Sequence, residues 1–117
     1  MNNAPIGVYD SGFGGLSVWL ELHRMLPCES LVYLGDGKNC PYGGRARQEI
    51  ATFAFAAVER LIAEGAKMVV VGCNTATTAA IKELREAWPT MPIVGLEPAV
   101  KPACLTSVKR RIAVLAT

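Results

Sequence analysis

The feature that most constrains this chain is an alternation, in which a short β-prone run and a helical pattern follow one another four times. Ile6-Gly7-Val8-Tyr9 ends at Asp10 and a glycine cluster, and Leu16, Val18, Trp19, Leu20, Leu22, Met25 and Leu26 then recur at mostly helical spacing until Pro27. Leu31-Val32-Tyr33-Leu34 is the second run, and residues 35–44 (GDGKNCPYGG) are too rich in turn formers to be anything but a long loop. Across 46–64, Ile50, Phe53, Ala57, Val58, Leu61 and Ile62 keep the rhythm of one buried helix face, with Gly65 as its stop. Met68-Val69-Val70-Val71 reads as a strand covered on both faces and ends at Gly72-Cys73-Asn74-Thr75. A helix bearing Ala79, Ala80, Ile81, Leu84 and Trp88 follows, closed by Pro89. The remainder reads as a strand at 92–96, a Glu97-Pro98 turn, a short helical piece and a last strand at 112–115.

Strands separated by helices are parallel neighbours joined by right-handed crossovers, so the expected architecture is α/β: a three-layer parallel sheet with helices on both faces. The expected strand order is the flavodoxin-like 2-1-3-4. In such sheets a ligand sits beyond the carboxyl ends of the strands, where the order reverses. Here the reversal lies between the first and third strands and sets the Asp10 turn beside the Cys73 turn.

At 117 residues the chain suffices for one domain and not two. An apolar fraction of 51% against 19% charged residues excludes a disordered chain and predicts a packed core. A net charge of +2 without a basic stripe argues against nucleic acid as a partner. No apolar run approaches the roughly 20 residues of a membrane span, and Met1-Asn2-Asn3-Ala4-Pro5 lacks the charged and apolar regions of an export signal, so a cytoplasmic protein is expected.

Two turns carry candidate chemistry. Asp10-Ser11-Gly12-Phe13-Gly14-Gly15 lies between a strand and a helix, where glycines let the backbone direct N–H groups at an anion held at the positive helix end. The same glycines also suit a turn needed only for packing, and Asp10 also suits a helix cap. A dinucleotide fingerprint is nearly met, with Asp36 placed as a ribose-binding acid, but its third small residue would be position 17, which is Ser17. A phosphate-binding Gly-Lys-Ser/Thr loop is absent. Cys73 ends a buried strand just before a helix, where the helix field favours a thiolate, so it is the best candidate base or nucleophile, although its position equally suits a buried, inert thiol. Asn74, Thr75, Thr77 and Thr78 add polar groups for a small ligand or for capping.

The other cysteines make weaker cases. Cys28 and Cys104 have no charged or glycine-rich setting and read as structural, while Cys40 borders a site from within the long loop. His23 forms no zinc-ligand spacing with Cys28 and Cys40, so no metal is expected, and a Ser-His-Asp hydrolase is unsupported.

Taken together, residues 6–18 (IGVYDSGFGGLSV), 33–36 (YLGD), 41–43 (PYG) and 71–76 (VGCNTA) resemble the N-terminal part of the glutamate racemases, in the aspartate/glutamate racemase superfamily. The Glu97-Pro98 turn and residues 111–117 (RIAVLAT) resemble that family's crossing into a second lobe, with 1–98 as the first lobe and 99–117 as the truncated start of the next. The resemblance implies one lobe of a two-lobed pseudo-symmetric enzyme that interconverts L- and D-glutamate without a cofactor, by two cysteines on opposite faces of the substrate. It implies Cys73 as the base facing the proton of the D-enantiomer and Asp10 and Ser11 at the amino group and thiol. Pro41, Tyr42, Gly43, Asn74 and Thr75 take the substrate-binding positions. It also implies cytoplasmic supply of D-glutamate to peptidoglycan, and so to cell-wall biogenesis and cell shape. Loop residues 37–40 (GKNC) depart from the family's commonest wording, and the second cysteine, in a Cys-Thr-His setting, is not among Cys28, Cys40 or Cys104. The 117-residue chain alone is therefore expected not to racemise, and apolar surface that would meet a second lobe should make it self-associate. Two alternatives stand beside this reading, an aspartate- or hydantoin-type racemase and a nucleotide-binding domain that uses the glycine turn and Asp36.

Overall fold

In the computed structural model, which describes residues 3–116, the elements are β1 (Ile6–Asp10), α1 (Leu16–Met25), β2 (Leu31–Gly35), α2 (Arg47–Ala63), β3 (Met68–Val71), α3 (Asn74–Ala87), β4 (Ile93–Gly95) and α4 (Val100–Thr106). Met1, Asn2 and Thr117, on which the export reading and the 111–117 stretch partly fall, lie outside the described residues. The four strands form one parallel sheet in the expected order β2-β1-β3-β4.

Alternation along β1 divides the layers. Tyr9 points into the main core with Val58 and Leu61 of α2, Ala80 and Leu84 of α3, and Val69 and Val71 of β3. Ile6 and Val8 point the other way, toward Val18, Trp19 and Leu22 of α1. Gly7 lets α2 lie close, since a Cβ there would stand 3.0 Å from Leu61. The α2 helix buries Ile50, Ala54, Ala57, Val58 and Leu61 and ends before Gly65, whose φ of +88° suits a residue without a side chain.

Helix α1 packs only loosely, and one expected strand is absent. Helix α1 forms but buries no residue: Val18, Trp19 and Leu22 are half-buried on the sheet, while Leu16, Leu20 and Met25 are exposed. A strand at 112–115 does not form; residues 111–116 carry no regular structure, and Val114 and Leu115 are exposed. The residue pattern is strand-like, but a strand needs a ladder partner, and the sheet ends at β4.

Candidate active site

The strand order sets the tips of β1 and β3 side by side, and the Gly72 amide donates to the Tyr9 carbonyl at 2.7 Å, so the pairing runs up to the last residue before each turn. Beyond β1 the chain folds back sharply. Asp10 is buried, and its Oδ2 accepts the Gly12 amide at 2.8 Å. The Tyr33 hydroxyl, from β2, donates to the Gly12 carbonyl at 2.7 Å. A Cβ at Gly15 would stand 2.6 Å from the Asp10 Cβ, so the turn requires glycine for space rather than for its φ of −65°. Burial, then the neighbouring Asp10 charge, push the Tyr33 phenol up to about 12.

Cys73 is the residue before α3, and its sulfur accepts the Ala76 amide at 3.4 Å, capping the helix. Its thiol donates to Ser11 Oγ at 3.5 Å. A negative sulfur here would face a backbone N–H and the positive end of a 14-residue helix. Thr77, one turn in, is buried and donates to the Val71 carbonyl, so it serves the core rather than a ligand.

One cavity of about 890 Å³ joins these pieces. Asp10, Ser11, Cys73, Asn74 and Thr75 line it together, as does Cys40 from the long loop. Thr78, one of the polar candidates of the second turn, lines it as well. Arg45, Arg47 and Ser17 also reach it, unforeseen from sequence, because their place depends on how α1 and α2 start over the strand ends. Leu115 and Ala116 lie at the same cavity.

Pro41, Tyr42 and Gly43 are not on the cavity wall; their neighbour Cys40 is. Pro41 and Gly43 are exposed, and Tyr42 turns inward with only 2% of its surface accessible. Its hydroxyl donates to Asp36 Oδ2 at 2.7 Å and lies 2.6 Å from the Tyr9 hydroxyl, while Asn39 Nδ2 reaches both Asp36 oxygens at 3.0 Å. Both Asp36 oxygens are thus engaged within the chain, which weighs against a ribose-binding role. The pairing of Tyr9 with Tyr42 was hidden in the sequence, since a residue facing a helix layer reads only as core.

His23 is exposed and stacked on Trp19, ring centroids 5.3 Å apart, and lines no part of the cavity. Cys28 and Cys104 are exposed and also away from it. Among the described residues no His, Cys, Asp or Glu cluster could hold a metal, and no helix is long and apolar enough to cross a membrane.

The model of the Asp/Glu/Hydantoin racemase family matches residues 19–117. The chain belongs to this family. Among curated proteins, the glutamate racemase of Clostridium perfringens (strain 13 / Type A) is 49% identical over 117 residues, all of this chain and 45% of that protein. That of Ectopseudomonas mendocina (strain ymp) is 50% identical over 116 residues, 99% of this chain and 44% of that protein. Among solved structures, Escherichia coli glutamate racemase in complex with L-glutamate and the activator UDP-MurNAc-ala superposes with a TM-score of 0.82 at 35% identity, over 91% of this chain and 40% of that one. Francisella tularensis glutamate racemase in complex with D-glutamate gives 0.77 at 36% identity, over 81% of this chain and 36% of that one. The chain thus spans about half the length of the curated relatives it matches and corresponds to the N-terminal part of these racemases, with the α/β fold of one lobe.

Proposed function

We propose that this chain is the first half of a cofactor-independent glutamate racemase, in which residues 1–98 make one lobe and 99–117 begin the second. The observation that carries the reading is the meeting of Cys73 with Ser11, beside Asp10, in one cavity of a chain of this racemase family. The α-proton of an amino acid is weakly acidic, so its removal needs a placed base and donors that stabilise the charge left behind. The Cys73 thiolate takes the α-proton of D-glutamate, the C–H electron pair stays on the substrate as a carbanion delocalised into its carboxylate, and a second thiol returns a proton to the other face. Asp10 receives the substrate ammonium, and Ser11, Asn74 and Thr75 hold it from the two turns. Residues 41–43 stand off the cavity wall next to Cys40, so Pro41, Gly43 and the backbone of Tyr42, not its inward-turned side chain, contact the substrate from that loop. The D-glutamate so formed supplies peptidoglycan, and with it the cell wall and cell shape, from the cytoplasm.

None of Cys28, Cys40 or Cys104 stands in a Cys-Thr-His setting, so the 117-residue chain alone should exchange but not invert. Proton exchange in heavy water, followed by NMR with D- and L-glutamate and D- and L-aspartate, tests this. Exchange confined to D-glutamate and lost in Cys73→Ala is expected. Full racemisation by this chain alone would overturn the half-enzyme reading, and exchange from aspartate but not glutamate would move the assignment to the aspartate branch of the family.

A further inference from the structure

Loop 36–44 carries no regular structure across its length, yet it is anchored from beneath by three side chains that do not touch the cavity. Tyr9 is fully buried on β1, one residue before Asp10, and Tyr42 is almost as deep. Their hydroxyls are 2.6 Å apart, and the Tyr42 oxygen is 2.7 Å from Asp36 Oδ2. A carboxylate only accepts, so the Tyr42 proton goes to Asp36 and the Tyr9 proton must go to the Tyr42 oxygen. The order of donation is therefore fixed: Tyr9 to Tyr42 to Asp36, with Asn39 donating to both carboxylate oxygens as well. The backbone repeats the connection, because the Asp36 amide donates to the Asp10 carbonyl at 2.9 Å and the Asp36 carbonyl accepts from Asn39 and Cys40 at 3.2 Å.

Packing does not require the Tyr9 hydroxyl. Phenylalanine would occupy the same volume against Val58 and Leu61, and a buried hydroxyl is costly unless it is paired. What the hydroxyl adds is a direct bond from the strand that ends in Asp10 to the loop that carries Cys40 and residues 41–43.

We propose that Tyr9 is a positioning residue for the substrate loop: by donating to Tyr42, itself held by Asp36, it fixes Pro41, Tyr42 and Gly43 relative to Asp10. The proposal rests on the reading above that this loop contacts glutamate. Tyr9→Phe removes one hydroxyl and keeps the ring. Peptide-resolved hydrogen exchange of this chain should show residues 36–44 exchanging about tenfold faster in the variant, with α2 and β3 unchanged. The dissociation constant for D-glutamate, read by calorimetric titration well below the thermal midpoint of either chain, should rise several-fold, while the midpoint itself falls by no more than a few degrees. Asp36→Asn should accelerate the same segment, because the chain of donors loses its carboxylate terminus.

Loop exchange that is unchanged in both variants, or a rise spread evenly over the chain, overturns the proposal. So does a faster loop with an unaltered dissociation constant. If D-glutamate binds neither variant nor parent, the substrate reading fails and the positioning role falls with it, while the exchange data still establish or refute the clamp. The two failures therefore look different.

Discussion

Single atoms decide much of this site. A methyl group at Gly15 would meet the Asp10 Cβ at 2.6 Å, its Cγ at 3.1 Å and the Tyr33 hydroxyl at 3.2 Å, all of them held in place. Gly15→Ala should cost about 1–3 kcal/mol in urea unfolding, whereas Gly37→Ala, with nothing within 4 Å, should be near neutral. The three tyrosines give a second prediction. Tyr9, Tyr33 and Tyr42 all titrate above the ordinary 10.0, chiefly through burial, with the Asp36 hydrogen bond also raising Tyr42. The folded chain then holds its phenolic protons more tightly than the unfolded one, so stability is intact below pH 10 and falls as pH climbs from 10 toward 12 and beyond. Tyrosinate absorbance near 295 nm should stay absent from the folded chain at pH 10 and appear together with unfolding. At this scale the sequence brought out Asp10, Ser11, Cys73, Asn74 and Thr75 as candidates, and they line one cavity, because each stands at or just past a strand end that can be read from the pattern. It did not show Arg45, Arg47 or the Tyr9–Tyr42 pair, whose meaning depends on a distant partner.

Among the elements, the two faces of the sheet are unequal. Leu61 of α2 is 1% exposed and fills the space left by Gly7, so Leu61→Ala removes contacts that the neighbouring strand cannot replace. A loss of about 2–5 kcal/mol is expected from the urea midpoint. Leu20→Ala on α1, where the side chain is 42% exposed, should cost much less, under about 1 kcal/mol. The helices were legible because α2 and α3 keep their apolar residues on one side, and the strand ends were legible from the glycines and Asp10. Helix α1 was legible as a helix but not in its burial, since its apolar residues spread over a broad arc and sequence does not say how much of that arc the sheet covers. The 112–115 run failed for a related reason: β-propensity describes a residue that fits a sheet, not whether an edge is there to receive it.

For the molecule as a whole, the radius of gyration is 15.0 Å, above the about 13 Å of a compact chain of this length. The difference fits α4, which buries nothing, and residues 111–116, all exposed. Phe13, Leu16 and Leu20 expose one apolar strip at the start of α1, and Leu105, Val108 and Leu115 add more. Sedimentation velocity should therefore show concentration-dependent association of this chain, reduced in the double variant Phe13→Ser/Leu16→Lys; a monomer at all concentrations would contradict it. The strand order was readable because right-handed crossovers leave few arrangements for four strands.

The pairing of β1 with β3 has one more consequence. With Gly72 bonded to Tyr9, the spacing between the carboxylate of Asp10 and the sulfur of Cys73 is set by strand register and so is quantised. Sliding one strand by a residue would shift the tip by about 3.3 Å and turn its side chain to the opposite face. Loops around this pocket can gain or lose residues over evolutionary time, but the two strands act as a ruler, and neither can change length by one without unmaking the site.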